Sequence, residues 1–272
     1  MTTSSGDDAV LYHPATREEP IGLIRLNRPD VRNSMSPELL ASFGRRAAEA
    51  AADPHARCVV LTGAGACFSA GADLRAPVQG DAVDAAGRVQ LPQERSYAMY
   101  ASFLTLLDVP VPVIGALNGH AVGGGFGLAL LCDVRVGARG ARYGANFARL
   151  GLHSGMGISH TLPRLVGLSR ASELLFTGRL VDGEEAERIG ILSRAVASEA
   201  VLAEAMELAH EIARSAPLAV RGMKATLRAA LGDVRASAWH EAAAQAATVA
   251  TEDFAEGRRA LLEKRPPRFE GR

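Results

Sequence analysis

The sequence predicts an α/β fold that continues into an all-helical C-terminal region. The chain opens with segments typical of strand, helix and strand at 21–29, 36–53 and 56–63. From about residue 196 onwards the segments are alanine-rich and helical. Helices of that kind often cover a sheet face or pack between subunits. The 272 residues, of which 48% are hydrophobic, are enough to bury such a core.

The first three elements have clear local signals. The segment IGLIRLNRP (21–29) is short and β-branched and ends at a proline, as strands often do. The helix at 36–53 begins with a Ser–Pro cap, and apolar side chains then follow at helical spacing. The segment ARCVVLTG (56–63) is a strand of the buried type that stops at a glycine. Together they form the repeating unit of an α/β fold.

The middle of the chain predicts a loop, a helix and two strands. Residues 75–95 have no convincing periodicity and indicate a loop or a short helical excursion, a usual place for a lid. YAMYASFLTLLD (97–108) is helical, and VPVIGALNG (111–119) is a buried strand that ends in an Asn–Gly turn. DVRVGA (133–138) is another strand, and the glycine run that starts at Gly123 opens a helix before it.

The composition excludes several classes of function. Thirty basic and thirty acidic side chains balance without a block of like charge, and aromatic residues are sparse, so neither a polyanion-binding surface nor a base-stacking platform is expected. The first residues lack a secretory or transit signal, and no apolar run is long enough to span a membrane, which predicts a cytoplasmic protein. The cysteines form no CxxC pair and indicate reduced, mostly buried thiols at Cys58, Cys67 and Cys132.

The glycine run from Gly123 to Gly127 allows two interpretations. Such runs often mark a tight strand-to-helix turn or close packing of a helix on a sheet. Alternatively, the bare backbone leaves N–H groups free to bind a substrate oxygen, as half of an oxyanion hole does. The known phosphate-binding patterns fail, because Leu128 stands where GxGxxG requires a glycine and no GxxxxGK[ST] occurs. A nucleotide-binding or purely scaffolding α/β protein is therefore weakly supported.

Three motifs taken together resemble the crotonase superfamily, the enoyl-CoA hydratase/isomerase family. They are FSAGADL, NGHAVGGGFGLALLCD and YGANFARLGLHSGMGISHTLPRLVG, and the resemblance extends from LNRPDVRNSMS to EDFAEGRRALLEKRPPRF. It implies a spiral of ββα units with the CoA and acyl site over residues 1–195. Residues 196–272 are then a helical region that builds a homotrimer or a dimer of trimers and completes the CoA site. An acyl-CoA thioester is the implied partner, with no cofactor beyond that CoA, no metal, no nucleic acid and no membrane.

The resemblance assigns roles around the thioester carbonyl. In the family, two backbone N–H groups stabilise an enolate-like anion on this oxygen, and the motif match gives them to Ala72 and Gly124. Main-chain groups of Ala70, Ala72 and Leu74 are implied to hold the adenine of CoA.

Two cations and two aspartates also match family positions. Arg75 is implied near the CoA phosphates, and Lys264 matches a position that reaches CoA, often from a neighbouring subunit. For both cations the alternative is a solvated surface charge. Asp73 and Asp133 look like structural residues of the family.

The sequence departs from the family pattern at both catalytic carboxylates. Gly127 stands where family hydratases carry a glutamate, and Asn146 and Phe147 replace the proline and glutamate of F-G-x-P-E. Hydration needs a base for the water proton and an acid for the α-carbon, each worth about 10²–10⁴-fold in rate. Neither glycine nor phenylalanine transfers a proton, so ordinary hydration and double-bond isomerisation are both in doubt. Phe147 can fill the volume of a carboxylate site and make the pocket more apolar.

His153, in LGLHSGMG, is the strongest substitute for the missing acid and base. Its loop commonly borders the acyl pocket in the family, and an imidazole titrates near neutral pH. The alternative is a loop histidine that hydrogen-bonds a carbonyl group. Gly155 stands where a family dehalogenase has its nucleophilic aspartate, so that chemistry is not expected. Weaker acid/base candidates are Ser154, His120, Tyr97, Tyr100 and Glu94.

Two functions from different classes stay open at this point. One is an acyl-CoA enzyme that stabilises a thioester enolate in its oxyanion hole and uses non-standard acid/base residues, with hydration, decarboxylation and thioester hydrolysis all open. The other is an acyl-CoA binding or regulatory protein that has kept the cradle and lost the hydratase chemistry. An oxyanion hole acts on transition states rather than on binding alone, which favours the enzyme.

Overall fold

The computed structural model describes residues 9–72 and 88–272, which form two sheets and a set of helices. The strands are β1 (Val10–His13), β2 (Ile21–Leu26), β3 (Cys58–Gly63), β4 (Cys67–Ser69), β5 (Val113–Leu117), β6 (His120–Val122), β7 (Val134–Ala138), β8 (Arg142–Gly144), β9 (Val181–Asp182) and β10 (Arg194–Val196). The helices are α1 (Pro37–Ala52), α2 (Pro92–Leu104), α3 (Gly124–Leu130), α4 (Ile158–Val166), α5 (Leu168–Thr177), α6 (Gly183–Arg188), α7 (Val201–Ala213), α8 (Pro217–Leu231), α9 (Val234–Val249) and α10 (Glu252–Glu263).

From β3 to β8 the strands alternate between two sheets. The larger sheet has the order β1-β2-β3-β5-β7-β10 and is parallel except where β1 meets β2. The smaller sheet has the order β4-β6-β8-β9 and is parallel except between β8 and β9. Each of the pairs β3–β4, β5–β6 and β7–β8 gives one strand to each sheet, and a helix follows each pair further along the chain. This repetition confirms the predicted spiral of ββα units.

The core lies around the larger sheet. Every residue of β3 and β5 is buried, as the continuous apolar runs predict for strands covered on both faces. Ser36 caps α1 by accepting the Leu39 N–H, and the helix buries Leu39 and Phe43. The Phe43 ring meets Phe103 of α2 edge-on, with 4.8 Å between ring centroids. The N-terminal elements therefore form one continuous hydrophobic core.

The local predictions hold for most elements, with differences at their ends. The strands predicted within 21–29, 56–63, 111–119 and 133–138 exist but are shorter. The helix predicted at 97–108 starts earlier, at Pro92, and its last turn, Thr105–Asp108, is a 3-10 helix. Most of the loop predicted at 75–95 lies outside the described residues. The sequence patterns did not indicate the short strands β1, β4, β6, β8 and β9.

The C-terminal region is helical from Val201 onwards, as predicted. Buried Lys224 attaches α8 to the larger sheet, because its Nζ donates to the Val111 carbonyl at 2.6 Å and lies 2.9 Å from Asp133. Arg228 pairs with the same carboxylate at 2.7 Å. Burial lowers the pKa of Lys224, and the negative charge of Asp133 opposes that shift. Asp133 is thus a structural residue, whereas Asp73 lies outside the described residues.

No helix in the described part of the chain combines the length and apolar character needed to cross a membrane.

Candidate active site

The glycine run lies where β6 passes into α3. Gly123 has φ 56° and ψ −122°, a conformation that L side chains rarely adopt, and its N–H donates to the Gly144 carbonyl at 2.9 Å. A side chain on Gly125 would overlap the carbonyl oxygen of Ser69, which is rigid backbone. These glycines therefore make a tight turn and allow close packing on β4, as the first interpretation of the run expects.

The segment that follows β4 lies directly against the run. A Cβ atom on Gly71 would be 3.0 Å from the Gly124 nitrogen and 2.6 Å from the Val122 carbonyl oxygen. The next residue, Ala72, forms a parallel β-bridge with Met35. This bridge uses the hydrogen bond from the Met35 N–H to the Gly71 carbonyl, and it does not use the Ala72 N–H. Within residues 9–72 and 88–272, the N–H groups of Ala72 and Gly124 have no hydrogen-bond acceptor. Two free donors therefore lie on adjacent stretches of backbone.

Asn33 fixes the position of this segment. It is fully buried, donates through Nδ2 to the carbonyls of Ala64 (3.0 Å) and Cys67 (2.8 Å), and accepts the Arg28 N–H at 2.8 Å. Ser69 Oγ donates to the Asn33 carbonyl at 2.8 Å. No local sequence pattern marks this network, although Asn33 lies in the motif LNRPDVRNSMS that contributes to the family resemblance.

The walls beside the glycine run are mostly apolar. A Cβ atom on Gly124 would overlap the Met35 sulfur and lie 3.3 Å from the Met156 sulfur. A Cβ atom on Gly127 would lie 2.9 Å from Met156 Cβ and 3.3 Å from Ile158 Cδ1. The space of the missing first glutamate is therefore already filled. This contact was not predicted from the sequence.

The two residues that replace the proline and the second glutamate face Gly123. Asn146 Oδ1 would lie 3.4 Å, and Phe147 Cζ 3.9 Å, from a Cβ atom placed on that glycine. Both side chains are half-buried, and Phe147 packs against the hydrophobic core. The structure thus places Phe147 next to Gly123 and packs Met156 against both Gly124 and Gly127.

Buried Glu241 of α9 holds the loop that carries Met156. Its carboxylate accepts the Gly157 N–H, the Ser159 N–H at 2.7 Å and the Ser159 hydroxyl. Met156 itself is 1% exposed and has φ 65°, so the loop keeps it in a left-handed conformation. Sequence patterns did not mark Glu241, because the helix that carries it is alanine-rich with no separate motif.

His153 lies in a cleft of about 350 Å³ between the loop and α9, together with His160, His240 and Glu241. Its Nδ1 is 2.7 Å from the Ser154 carbonyl, and its backbone N–H donates to Thr248 Oγ1 at 3.0 Å. This contact is the one expected of a loop histidine that hydrogen-bonds a carbonyl group, the alternative to an acid/base role. The residues that line the cleft do not include Ala72, Gly124 or Phe147.

The weaker acid/base candidates have structural partners. His120 Nδ1 accepts the Arg142 N–H at 2.9 Å, and Glu94 accepts the Leu91 N–H at 2.8 Å at the start of α2. Three more have the following contacts: Tyr97 packs on the Trp239 ring, Tyr100 donates to Gln245, and Ser154 reaches Glu241 at 3.5 Å. Burial raises the pKa of Tyr100 further above its ordinary value, which makes it a poorer acid near neutral pH.

Tyr100 also occupies the space beside Gly155. A Cβ atom on Gly155 would overlap the Tyr100 hydroxyl and lie 2.7 Å from its Cζ atom. An aspartate does not fit there without moving the tyrosine.

The residues implied to contact CoA are described only in part. Ala70 donates its N–H to the Arg32 carbonyl at 3.0 Å, and its own carbonyl accepts no hydrogen bond from residues 9–72 or 88–272. Leu74 and Arg75 lie outside the described residues. Lys264 is exposed in a left-handed conformation just after α10, whose Gly257 packs on Leu150. Lys264 lies seven residues after Gly257, which corresponds to about 10 Å along a helix axis.

The three cysteines are buried, and burial is the main cause of their raised pKa values. The pKa of Cys67 rises to about 11 and that of Cys58 to about 12. Among the residues that the structure describes, no group of three or more His, Cys, Asp or Glu side chains is arranged to hold a metal ion.

The fold and the site define a crotonase-fold protein with apolar side chains beside two backbone N–H groups that have no acceptor in the described part of the chain. The chain belongs to the enoyl-CoA hydratase/isomerase family, whose model matches residues 16–272. It is similar to a putative enoyl-CoA hydratase from Thermus thermophilus, with 39% identity over 92% of this chain and 97% of the relative. A carnitinyl-CoA dehydratase from Citrobacter koseri is 35% identical over 94% of this chain and 97% of its own length.

A solved structure shows the same architecture. An enoyl-CoA hydratase/isomerase from Pseudoalteromonas atlantica has a TM-score of 0.83 at 27% identity, covering 96% of this chain and 100% of the other.

Proposed function

We propose that this protein is an acyl-CoA enzyme in which the N–H groups of Ala72 and Gly124 stabilise a thioester enolate. The observation that carries the proposal is a pair of N–H donors that lie on two touching backbone segments and have no acceptor among residues 9–72 and 88–272. Such donors are fixed before the reaction, and each one is worth about 3 kcal/mol where charge develops on a carbonyl oxygen. Homologues named as acyl-CoA hydratases and dehydratases support a CoA thioester as the substrate.

The proton-transfer step in this proposal is non-standard. Met156 and Ile158 occupy the space beside Gly127, and Phe147 takes the place of the second carboxylate. His153 is the proposed acid or base, a role that requires the acyl group to extend into the cleft beside α9, because the lining of that cleft includes neither Ala72 nor Gly124. Its Nε2 is the ring nitrogen for that role because Nδ1 already meets the Ser154 carbonyl. Hydration, decarboxylation and thioester hydrolysis are the reactions to test. CoA contacts at Ala70, Leu74, Arg75 and Lys264, and a trimeric or hexameric assembly in the cytoplasm, are part of the same proposal.

The apolar wall favours one alternative, a non-catalytic acyl-CoA binding or regulatory protein. Methionine, isoleucine and phenylalanine side chains can accommodate an acyl chain but cannot move protons. This alternative requires tight binding of acyl-CoA without turnover. Product analysis by mass spectrometry over a broad panel of CoA thioesters separates the two functions, since turnover of any member excludes the alternative. Binding without turnover of any thioester contradicts the enzyme.

Two substitutions at Gly124 test the oxyanion hole directly. Gly124→Pro removes the donor at the first position of a helix, where proline is tolerated. Gly124→Ala adds a Cβ atom against the same flexible end of Met35 but keeps the N–H, so it is the matched control. We expect Gly124→Pro to lose about 100-fold more turnover than Gly124→Ala. Equal activity of the two variants, both folded by circular dichroism, would mean that this donor has no role in the reaction.

A further inference from the structure

We propose that Asn146 binds a second oxygen on the acyl chain, so that hydroxyacyl or oxoacyl thioesters are preferred to plain alkanoyl thioesters. This inference rests on the proposed acyl-CoA function and adds the substrate class. Asn146 is half-buried and stands one residue before Phe147, at the start of a 3-10 turn.

The backbone places the Asn146 side chain beside the proposed carbonyl site. The Gly123 N–H bonds the Gly144 carbonyl at 2.9 Å, which joins the end of β8 to the start of the glycine run. Asn146 Oδ1 then lies 3.4 Å from the Cβ position of Gly123, the residue next to the Gly124 donor. The Arg149 N–H holds the Asn146 carbonyl at 3.2 Å, so the main chain on this side is fixed as well.

The side-chain amide has no hydrogen-bond partner among residues 9–72 and 88–272. Its main-chain carbonyl is used within the turn, and its side chain does not cap that turn. Both amide atoms are therefore open to a ligand, which can replace the water that a half-buried amide otherwise binds. A ligand oxygen that hydrogen-bonds this amide among apolar side chains gains affinity over a ligand atom that cannot.

The surroundings of the amide define which ligand atom fits. Met35, Met156 and Phe147 offer only apolar surface near the glycine run, so Asn146 supplies the polar contact there. A primary amide donates and accepts hydrogen bonds but does not transfer protons near neutral pH. Asn146 is therefore a specificity residue that recognises a neutral hydroxyl or carbonyl oxygen on the first few acyl carbons.

Calorimetric binding of four ligands to the full chain tests this inference: butyryl-CoA, both enantiomers of 3-hydroxybutyryl-CoA, and 3-oxobutyryl-CoA. We expect the wild type to bind at least one of the oxygen-bearing esters about tenfold more tightly than butyryl-CoA, as one added hydrogen bond allows. Asn146→Leu, which has a similar shape but no amide, should reduce that ratio to about one. Mass spectrometry of the recovered ligand shows that each ester is intact.

Phe147→Leu is the matched control, since it alters the same face and leaves the amide in place. It should change the affinity for all four esters by a similar factor and keep the ratio. Equal affinity for all esters in the wild type, or an unchanged ratio in folded Asn146→Leu, overturns the inference while acyl-CoA binding still stands. If none of the esters binds to the wild type, the proposed function fails as well.

Discussion

At the scale of single residues, Met156 determines what position 127 can hold. Its Cβ atom lies 2.9 Å and its sulfur 3.2 Å from the Cβ position of Gly127. Its left-handed backbone, with φ 65°, costs a non-glycine residue about 1–2 kcal/mol. Gly127 therefore leaves the space that the Met156 side chain fills. A side chain at position 127 would overlap Met156 Cβ, which cannot move away without moving the backbone.

Restoring the first glutamate tests this pairing. Gly127→Glu forces a longer side chain into filled space and buries a carboxylate, so we expect the free energy of unfolding to fall by about 2–3 kcal/mol. Adding Met156→Gly clears the space at a position whose φ suits glycine, and should return part of that stability. Urea unfolding of both variants measures the difference. A single Gly127→Glu variant as stable as the wild type would show that Met156 does not restrict the site.

The same variants bear on the non-catalytic alternative. With Phe147→Glu added to the pair, both carboxylates of the family pattern are present beside the glycine run. If the protein has only lost its acid and base, this triple variant is expected to gain hydration of crotonyl-CoA over the wild type. No gain in a folded triple variant that binds acyl-CoA would point to a pocket rebuilt for another reaction.

The sequence was enough to predict which residues meet at the run, but not what surrounds them. Motif matching indicated Gly124, Gly127 and Phe147 because each lies at a fixed offset within a recognisable string. Met35 and Met156 belong to distant segments, and no local pattern says that their sulfur atoms converge on Gly124. Tertiary contacts between flexible apolar side chains are set by the whole packing arrangement.

At the scale of elements, Asn33 ties the segment before α1 to the segment that carries Ala72. It has φ 52° and satisfies two carbonyls and one N–H of the neighbouring backbone. Because Gly71 of the tied segment packs on Gly124, any movement of this segment changes the separation of the two proposed donors.

Asn33→Gly isolates the contribution of these hydrogen bonds, since glycine accepts the backbone conformation of this position. Three backbone groups lose their partner, one in a buried and two in part-buried hydrogen bonds, so we expect the free energy of unfolding to fall by about 3 kcal/mol and acyl-CoA to bind more weakly. Thermal unfolding and calorimetric binding measure the two effects. Gly222→Ala, in open space on α8, is the control. It should neither lower the free energy of unfolding nor weaken the binding of acyl-CoA. Unchanged affinity in Asn33→Gly would mean that the Ala72 segment is held in other ways.

Elements with strong periodicity or clear caps were predictable, and very short ones were not. The Ser–Pro start of α1 and the continuous apolar residues of β3 are local signals that the structure reproduces. Strands β4, β6 and β8 have three residues each, too few for an alternating pattern to appear. They exist because the spiral places them side by side in a second sheet, which is a property of the chain path.

At the scale of the whole molecule, acidic residues of α10 hold the C-terminal tail. The Glu256 carboxylate accepts hydrogen bonds from the Arg265 guanidinium at 2.6 Å and from the Arg268 N–H at 3.0 Å. The Asp253 carboxylate accepts hydrogen bonds from the N–H groups of Glu270 and Gly271. The same helix packs on the turn that starts at Phe147, where Gly257 meets Leu150. The tail and the helix therefore form one unit next to the candidate site.

The ion pair makes this unit sensitive to acid. Hydrogen bonds from Arg265 and then from the Arg268 N–H lower the pKa of Glu256 from 4.5 to about 2. Because the pKa is lower in the folded state, the contribution of Glu256 to stability is complete above pH 4.5 and is lost as the pH falls towards 2. We expect hydrogen exchange, corrected for intrinsic rates, to show residues 265–272 losing protection across that range.

Two glutamine variants separate this pair from general acid effects. Glu256→Gln should release residues 265–272 at pH 7 already and abolish their acid transition. Glu263→Gln removes a more exposed carboxylate that meets the same arginine at 2.6 Å, and should leave the protection nearly unchanged. If the tail of Glu256→Gln stays as protected as that of the wild type at pH 7, the Arg265 pair does not hold it. If the acid transition persists unchanged in Glu256→Gln, another carboxylate causes the acid sensitivity. Asp253 is then the next to test, because it accepts hydrogen bonds from two N–H groups of the same tail.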